Sequence, residues 1–393
     1  MTCRFAGGGH TERKRSRDMS SPESGEVPDV SVEALMEHAA SQGASDIHVT
    51  VGLPPMVRVH GKLLPVPGRE SLNPAATESV ARAMTTEAQW AEFARTRELD
   101  FSVGYSKVAR FRVNLFWQRG SVGIAMRAIP HSIPSLQQLG LPSVLEKFAM
   151  TDTGLFLVTG PTGSGKSTSL AAMVDYINRN RNCHIVTIED PIEYLHSHRN
   201  SIVNQREMYH DTDSFAEALK HVLRQDPDVI LIGEMRDLET IQTALTLAET
   251  GHLVLATLHT ADTTQAISRI IDVYPPHQQP QARTQLSLVL VGIMAQMLLP
   301  TRDGSGRVAA FEVLSATPAI RHMIRSNELA QVYSSVQTGT ADGMCTLNSC
   351  LLKLYRQGVI TRDMALHKSP RVKELLEHLD GEAGGNAFRT IRR

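Results

Sequence analysis

Apolar residues recur along this chain in several rhythms, and each predicts a different kind of element. Val32, Leu35, Met36 and Ala39 fall at helical spacing, and Gly43 closes that helix. Short β-type runs at 47–51 and 56–60 flank Gly52-Leu53-Pro54-Pro55, which reads as a hairpin-like pair of strands. A helical stretch follows over about 74–94, then strands at 99–103, 108–116 and 122–129. Together these predict a small N-terminal α+β domain over residues 29–130. Residues 131–138 begin with the turn chemistry of His131-Ser132-Ile133-Pro134 and predict a linker.

Beyond it the rhythm becomes strand, glycine turn, helix. Strands at 155–159, 184–188, 228–232 and 252–257 alternate with helices near 166–180, 213–224 and 239–250. That alternation predicts an α/β core over 139–316, with a mainly parallel sheet and helices on its faces. The apolar run 286–299 is broken by Ser287, Gly292 and Gln296; it is too short for a membrane span and reads as a buried helix. Helical spacing continues over 317–380, and the glycines of 381–393 predict a flexible tail.

The first 28 residues lack the apolar stretch of a secretory signal and read as a disordered basic tail. Acidic and basic residues nearly cancel, 41 against 40, so no global attraction to polyanions follows and no nucleic-acid partner is expected. The four cysteines at 3, 183, 345 and 350 form no CxxC pair, which points away from a zinc ribbon or a disulfide framework.

Chemistry concentrates at the turns after the predicted strands. Gly160-Pro161-Thr162-Gly163-Ser164-Gly165-Lys166-Ser167-Thr168 satisfies GxxxxGK[ST] between an apolar strand and an amphipathic helix. Glycines let backbone N–H groups turn toward phosphate oxygens, Lys166 adds a charge, and Ser167 offers a hydroxyl to Mg²⁺. The segment 228–234 is an apolar strand ending in Glu234, placed to serve a metal or a water. Glu189, Asp190 and Glu193 surround Pro191, which bars a strand or helix interior; one of these carboxylates is positioned to orient a water. His252 and His259 bracket an apolar strand, with phosphate sensing or subunit bridging as their possible roles.

The ordered segments GPTGSGKST, TIEDPIEY, DPDVILIGEMRD and TGHLVLATLHT resemble the secretion superfamily of ATPases. GASDIHV, PPMVRVHGKL, RFRVN, LAAMVDYIN, IVNQREM and RVAAFEVL narrow the resemblance to the PilT-like type IV pilus retraction ATPases, over about residues 31–360. The resemblance implies a PAS-like N-terminal domain, a RecA-like P-loop core, a C-terminal helical region, and a hexameric ring that hydrolyses ATP with Mg²⁺. It implies that Glu193 activates water, that Glu234 is the second acidic element, and that His252 and His259 form a histidine pair. It also implies that Arg112 and Arg127, with Arg110 a weaker candidate, reach the γ-phosphate of a nucleotide on a facing large domain. Partners implied are an inner-membrane pilus platform protein and a paralogous pilus ATPase; the setting implied is cytoplasmic, at the inner membrane. An accessory retraction subunit and a secretion or transport ATPase are the alternatives. Departures occur at Ala319–Ser326, where AIRHMIRS stands for the family's AIRNLIRE, and at Gln225.

Overall fold

A computed structural model of the chain describes residues 31–59, 61–105, 109–129 and 132–387. The predicted tail over 1–28 lies outside the described residues. The chain divides into two units: residues up to Val103 together with Val113–Arg127, and Gly104–Arg112 together with the residues from Ala128 onward.

The N-terminal elements, which lie mostly in the first unit, run α1 (Val32–Ser41), β1 (Asp46–Val49), β2 (Met56–Val59), β3 (Lys62–Pro65), α2 (Pro74–Met84), α3 (Glu87–Thr96), β4 (Glu98–Tyr105), β5 (Ala109–Gln118) and β6 (Ser121–Ile129). The strands form one sheet in the order β3-β2-β1-β6-β5-β4. Two elements differ from expectation. The helical stretch is two helices, because Thr86 caps α3 through a reciprocal box with Gln89 and so breaks the run. Strand β3 has four exposed residues and a proline, so it carries no apolar alternation to read.

The second unit opens with α4 (Val144–Ala149), β7 (Gly154–Thr159), α5 (Lys166–Asn180), β8 (His184–Glu189), β9 (Ile202–Glu207) and α6 (Phe215–Val222). It continues with β10 (Val229–Ile232), α7 (Leu238–Glu249), β11 (Leu253–Leu258), α8 (Thr263–Asp272), α9 (Gln279–Val289), β12 (Leu290–Pro300) and β13 (Arg307–Ser315). Helices α10 (Pro318–Ser326), α11 (Val332–Thr338), α12 (Leu347–Arg356), α13 (Arg362–Lys368) and α14 (Val372–Ala387) complete it. Among the described residues the sheet has the order β13-β12-β7-β11-β10-β8-β9; β13 is antiparallel to β12 and the other pairings are parallel.

Both faces of this sheet are covered, as a parallel sheet requires. Leu155 and Leu157 of β7 pack in one cluster with residues of α6 to α9, while Phe156 and Val158 pack in another with α4 and α5. Of the run 286–299, residues 286–289 are the end of helix α9, as expected, and residues 290–299 are corrected from helix to strand: β12 lies between β7 and β13. A continuous apolar run has the same pattern in a buried strand as in a buried helix. Position 292 takes only glycine, since a Cβ would lie 2.8 Å from Leu314 O. Helix α14 continues to Ala387, past the point at which the glycine-rich sequence reads as a tail.

Candidate active site

Strands β7, β8, β10 and β11 are mutually parallel neighbours, so their C-terminal ends open on one edge of the sheet. That edge is where open α/β sheets bind ligands. It carries the glycine loop after β7, the acidic turn after β8, Gly233-Glu234 after β10 and His259 after β11. A cavity of about 800 Å³ lies there, lined among others by Lys166, Ser167, Glu189, Glu193, Glu234 and His259.

The loop Gly160–Gly165 turns back over the start of α5. Gly160 has φ +145°, and a Cβ would lie 2.2 Å from Gln296 O, so no side chain fits. Gly165 sits at φ +87° as the residue before α5, with Gln296 Nε2 close by. The loop is held from β12: Gln296 Nε2 donates to Ser164 O at 2.9 Å, and Ser169 Oγ donates to Gln296 Oε1 at 2.7 Å. Pro161, Thr162 and Gly163 are exposed at its crest. Lys166 is buried and donates to Gly160 O at 2.9 Å and Pro161 O at 3.2 Å. Burial lowers its pKa, against the pull of the Glu234 and Glu193 charges. Thr168 Oγ1 and Tyr194 Oη are 2.9 Å apart, tying α5 to the acidic turn.

The three acidic groups differ in setting. Glu193 is exposed and lines the cavity. Glu234 is half-buried, 2.7 Å from Arg236 and 3.2 Å from His259 Nε2. Burial works against its ionisation, but Arg236 and His259 outweigh it and hold its pKa below the ordinary value. Glu189 is the reverse case. Burial raises its pKa to about 6, with the Glu193 charge adding to that, although Thr187 and Gln205 donate to it. His196, which the sequence reading does not single out, also lines the cavity. Burial lowers its pKa to about 4, with Asp175 pulling the other way, and its Nδ1 is buried without a partner.

The two histidines are not brought together. His259 faces the cavity at the end of β11, while His252 precedes the strand, roughly 20 Å away at about 3.3 Å per residue. His252 Nδ1 sits 2.9 Å from Leu247 O at the end of α7. His252 therefore does not line this cavity: strand length puts it at the opposite edge.

Arg112 and Arg127 belong to the small domain's sheet. Phe111, Val113 and Leu115 of β5 are buried, as are Ile124 and Met126 of β6, so both arginines occupy the outward positions of their strands. Arg127 pairs with Asp46 at 2.9 Å, with its side chain 76% exposed. Among the described residues, no group of three His, Cys, Asp or Glu forms a metal cage, and no helix is long and apolar enough to cross a membrane.

The family model for the Type II/IV secretion system protein matches residues 22–354. The Type IV pilus retraction ATPase PilT of Pseudomonas aeruginosa is 46% identical over 335 residues, 85% of this chain and 97% of that protein. The Type IV pilus ATPase PilU of the same organism is 45% identical, over 87% of this chain and 90% of its own length. A crystal structure of the pilus retraction motor PilT with bound ADP superimposes with a TM-score of 0.83 at 48% identity, covering 88% of this chain and 99% of that one. This chain belongs to the Type II/IV secretion system protein family, among its PilT-like retraction ATPases.

Proposed function

We propose that the chain binds ATP at the loop Gly160–Thr168, hydrolyses it, and uses the cycle to power type IV pilus retraction and twitching motility. The observation that carries this reading is the gathering of Lys166, Glu193, Glu234 and His259 around one cavity beside a glycine loop that no side chain could enter at Gly160. The likeness to PilT over nearly its whole length supports the retraction role. PilU is almost as similar, so a subunit that assists a paralogous motor is the second reading.

Chemically, Glu193 holds the attacking water because its carboxylate is exposed in the cavity and uncommitted to an ion pair with Arg236 or His259. Lys166 exchanges its loop carbonyls for phosphate oxygens. The Ser167 hydroxyl and the Glu234 carboxylate supply the hard oxygen donors that suit Mg²⁺, which would neutralise phosphate charge when bound. Arg112 and Arg127 are proposed to supply further charge from the small domain to a nucleotide on a facing large domain, Arg127 leaving Asp46 to do so. Such an arginine is worth roughly 10³–10⁵ in rate. The proposed domains are the basic tail 1–28, a PAS-like domain 29–130, a linker 131–138, a RecA-like core 139–316, a helical region 317–380 and a tail 381–393. The proposed assembly is a hexameric ring on an inner-membrane platform protein, facing the cytoplasm.

Steady-state phosphate release by purified Glu193→Gln protein is the direct test. The variant is expected to bind ATP with wild-type affinity and to release phosphate at least about 10²-fold more slowly. Turnover at the wild-type rate would remove Glu193 from the mechanism.

A further inference from the structure

Glu193 sits in an irregular segment between β8 and β9, yet a water-activating base must be held to a fraction of an ångström. Asn178 of α5 bonds the far end of that segment, at Ser197, Arg199 and Asn200, whereas the residues around Glu193 are bonded by the NQRE stretch of β9 and by Glu189. Strand β9 pairs with β8 in parallel, with Thr187 opposite Gln205 and Glu189 opposite Glu207, so these four side chains share one face of the sheet. On an ordinary buried strand that face would be apolar. Here it is a polar layer under the acidic turn.

Gln205 uses its amide on both sides. Its Nε2 donates to Tyr194 O at 2.8 Å and to Glu189 Oε1 at 3.1 Å, and its Oε1 accepts from His196 N at 2.8 Å. Tyr194 is the residue after Glu193. Ile192, the residue before it, donates its N–H to Glu207 Oε2 at 3.2 Å, and Glu207 is buried. The backbone N–H of Glu193 itself donates to Glu189. The residues on either side of Glu193 are thus bonded to β9, and the carboxylate that receives the Glu193 N–H accepts from the same glutamine.

We propose that Gln205 is a positioning residue for ATP hydrolysis, clamping the acidic turn so that the Glu193 carboxylate stays aimed into the cavity, with Glu207 as the second jaw. The inference rests on the reading of Glu193 as the water-activating group. Gln205 is not among the residues that line the cavity; it acts through the turn.

The test compares full-length Gln205→Met, which keeps the shape and loses the hydrogen bonds, and Gln205→Glu, which keeps the acceptor and loses both donations. Glu193→Gln and the Gln205→Met/Glu193→Gln double variant run alongside. Turnover is expressed per nucleotide-binding site, titrated with ADP, so misfolded protein does not count. Both single variants at 205 are expected to lower kcat about tenfold or more, as small misplacements do. KM and ADP affinity should stay within about threefold, because uniform binding is untouched. The double variant should be no slower than Glu193→Gln alone. An unchanged kcat, a parallel fall in ADP affinity, or a variant with no nucleotide-binding sites would each overturn the clamp. If Glu193→Gln turned over normally, the reading of Glu193 would fall instead, and the two failures are told apart in one experiment.

Discussion

His259 Nε2 lies 3.2 Å from Glu234 Oε1, joining the ends of β10 and β11 at the rim of the cavity. Its companion in sequence, His252, lies at the far end of β11 on the carbonyl of Leu247. Similar residues on one strand therefore have different consequences. His259→Ala is expected to lower ATP turnover about tenfold or more, by removing one of the two groups that hold the Glu234 carboxylate, the other being Arg236. His252→Ala is expected to leave nucleotide affinity unchanged and to cost about 1 kcal/mol of stability, one hydrogen bond at a helix end. Phosphate release and denaturant melts of the two variants check this; equal losses of turnover would show that position along the strand does not decide their roles.

Glu189 makes stability depend on pH in an unusual direction. Its ordinary pKa is 4.5, and burial raises it to about 6 in the folded chain. Below pH 4.5 both folded and unfolded forms hold the proton, so nothing is lost. As pH rises to 6, the unfolded chain ionises first, and the folded chain then carries a buried charge. That cost reaches about 2 kcal/mol above pH 6. Glu189→Gln, which stays neutral, is expected to melt higher than the parent protein at pH 7.5 and to lose that advantage at pH 4.5. Thermal melts at the two pH values decide it; an advantage independent of pH would mean that ionisation of Glu189 is not its source.

Arg321, the first arginine of the departing AIRHMIRS segment, points back into its own unit. Its guanidinium donates to the carbonyls of Ala316, Ser287, Leu288 and Leu290, closing the end of α9 and the start of β12. Arg325 makes a single bond, to Ser287 Oγ at 3.2 Å. Arg321→Ala is expected to destabilise by about 2–4 kcal/mol, since it strands several carbonyls, and Arg325→Ala by under about 1 kcal/mol. Urea unfolding of the two variants measures the difference, and equal losses would contradict it.

The parts of this molecule that were legible in the sequence are those that a short stretch specifies by itself. The loop before Lys166 needs glycines at particular positions. Helix α5 runs over the predicted residues because its apolar spacing is unbroken, and the buried strands β7, β8, β10 and β11 announce themselves by apolar runs between turns. Strand β9 was harder to see, since Gln205 and Glu207 place polar groups where an apolar face would be read. Run 286–299 looked helical because burial on both sides erases the period.

Sequence alone therefore determined the phosphate loop, the alternation of the core and the identity of the acidic residues, because backbone φ, hydrogen-bond supply and side-chain period are local properties. Tertiary structure alone decided which polar groups meet: that His259 and not His252 reaches Glu234, that Gln296 braces the loop from β12, and that Gln205 grips the turn around Glu193. Those pairings join residues far apart in the chain. They exist because buried amides and carboxylates must find partners, and the sheet order settles which partners lie within reach.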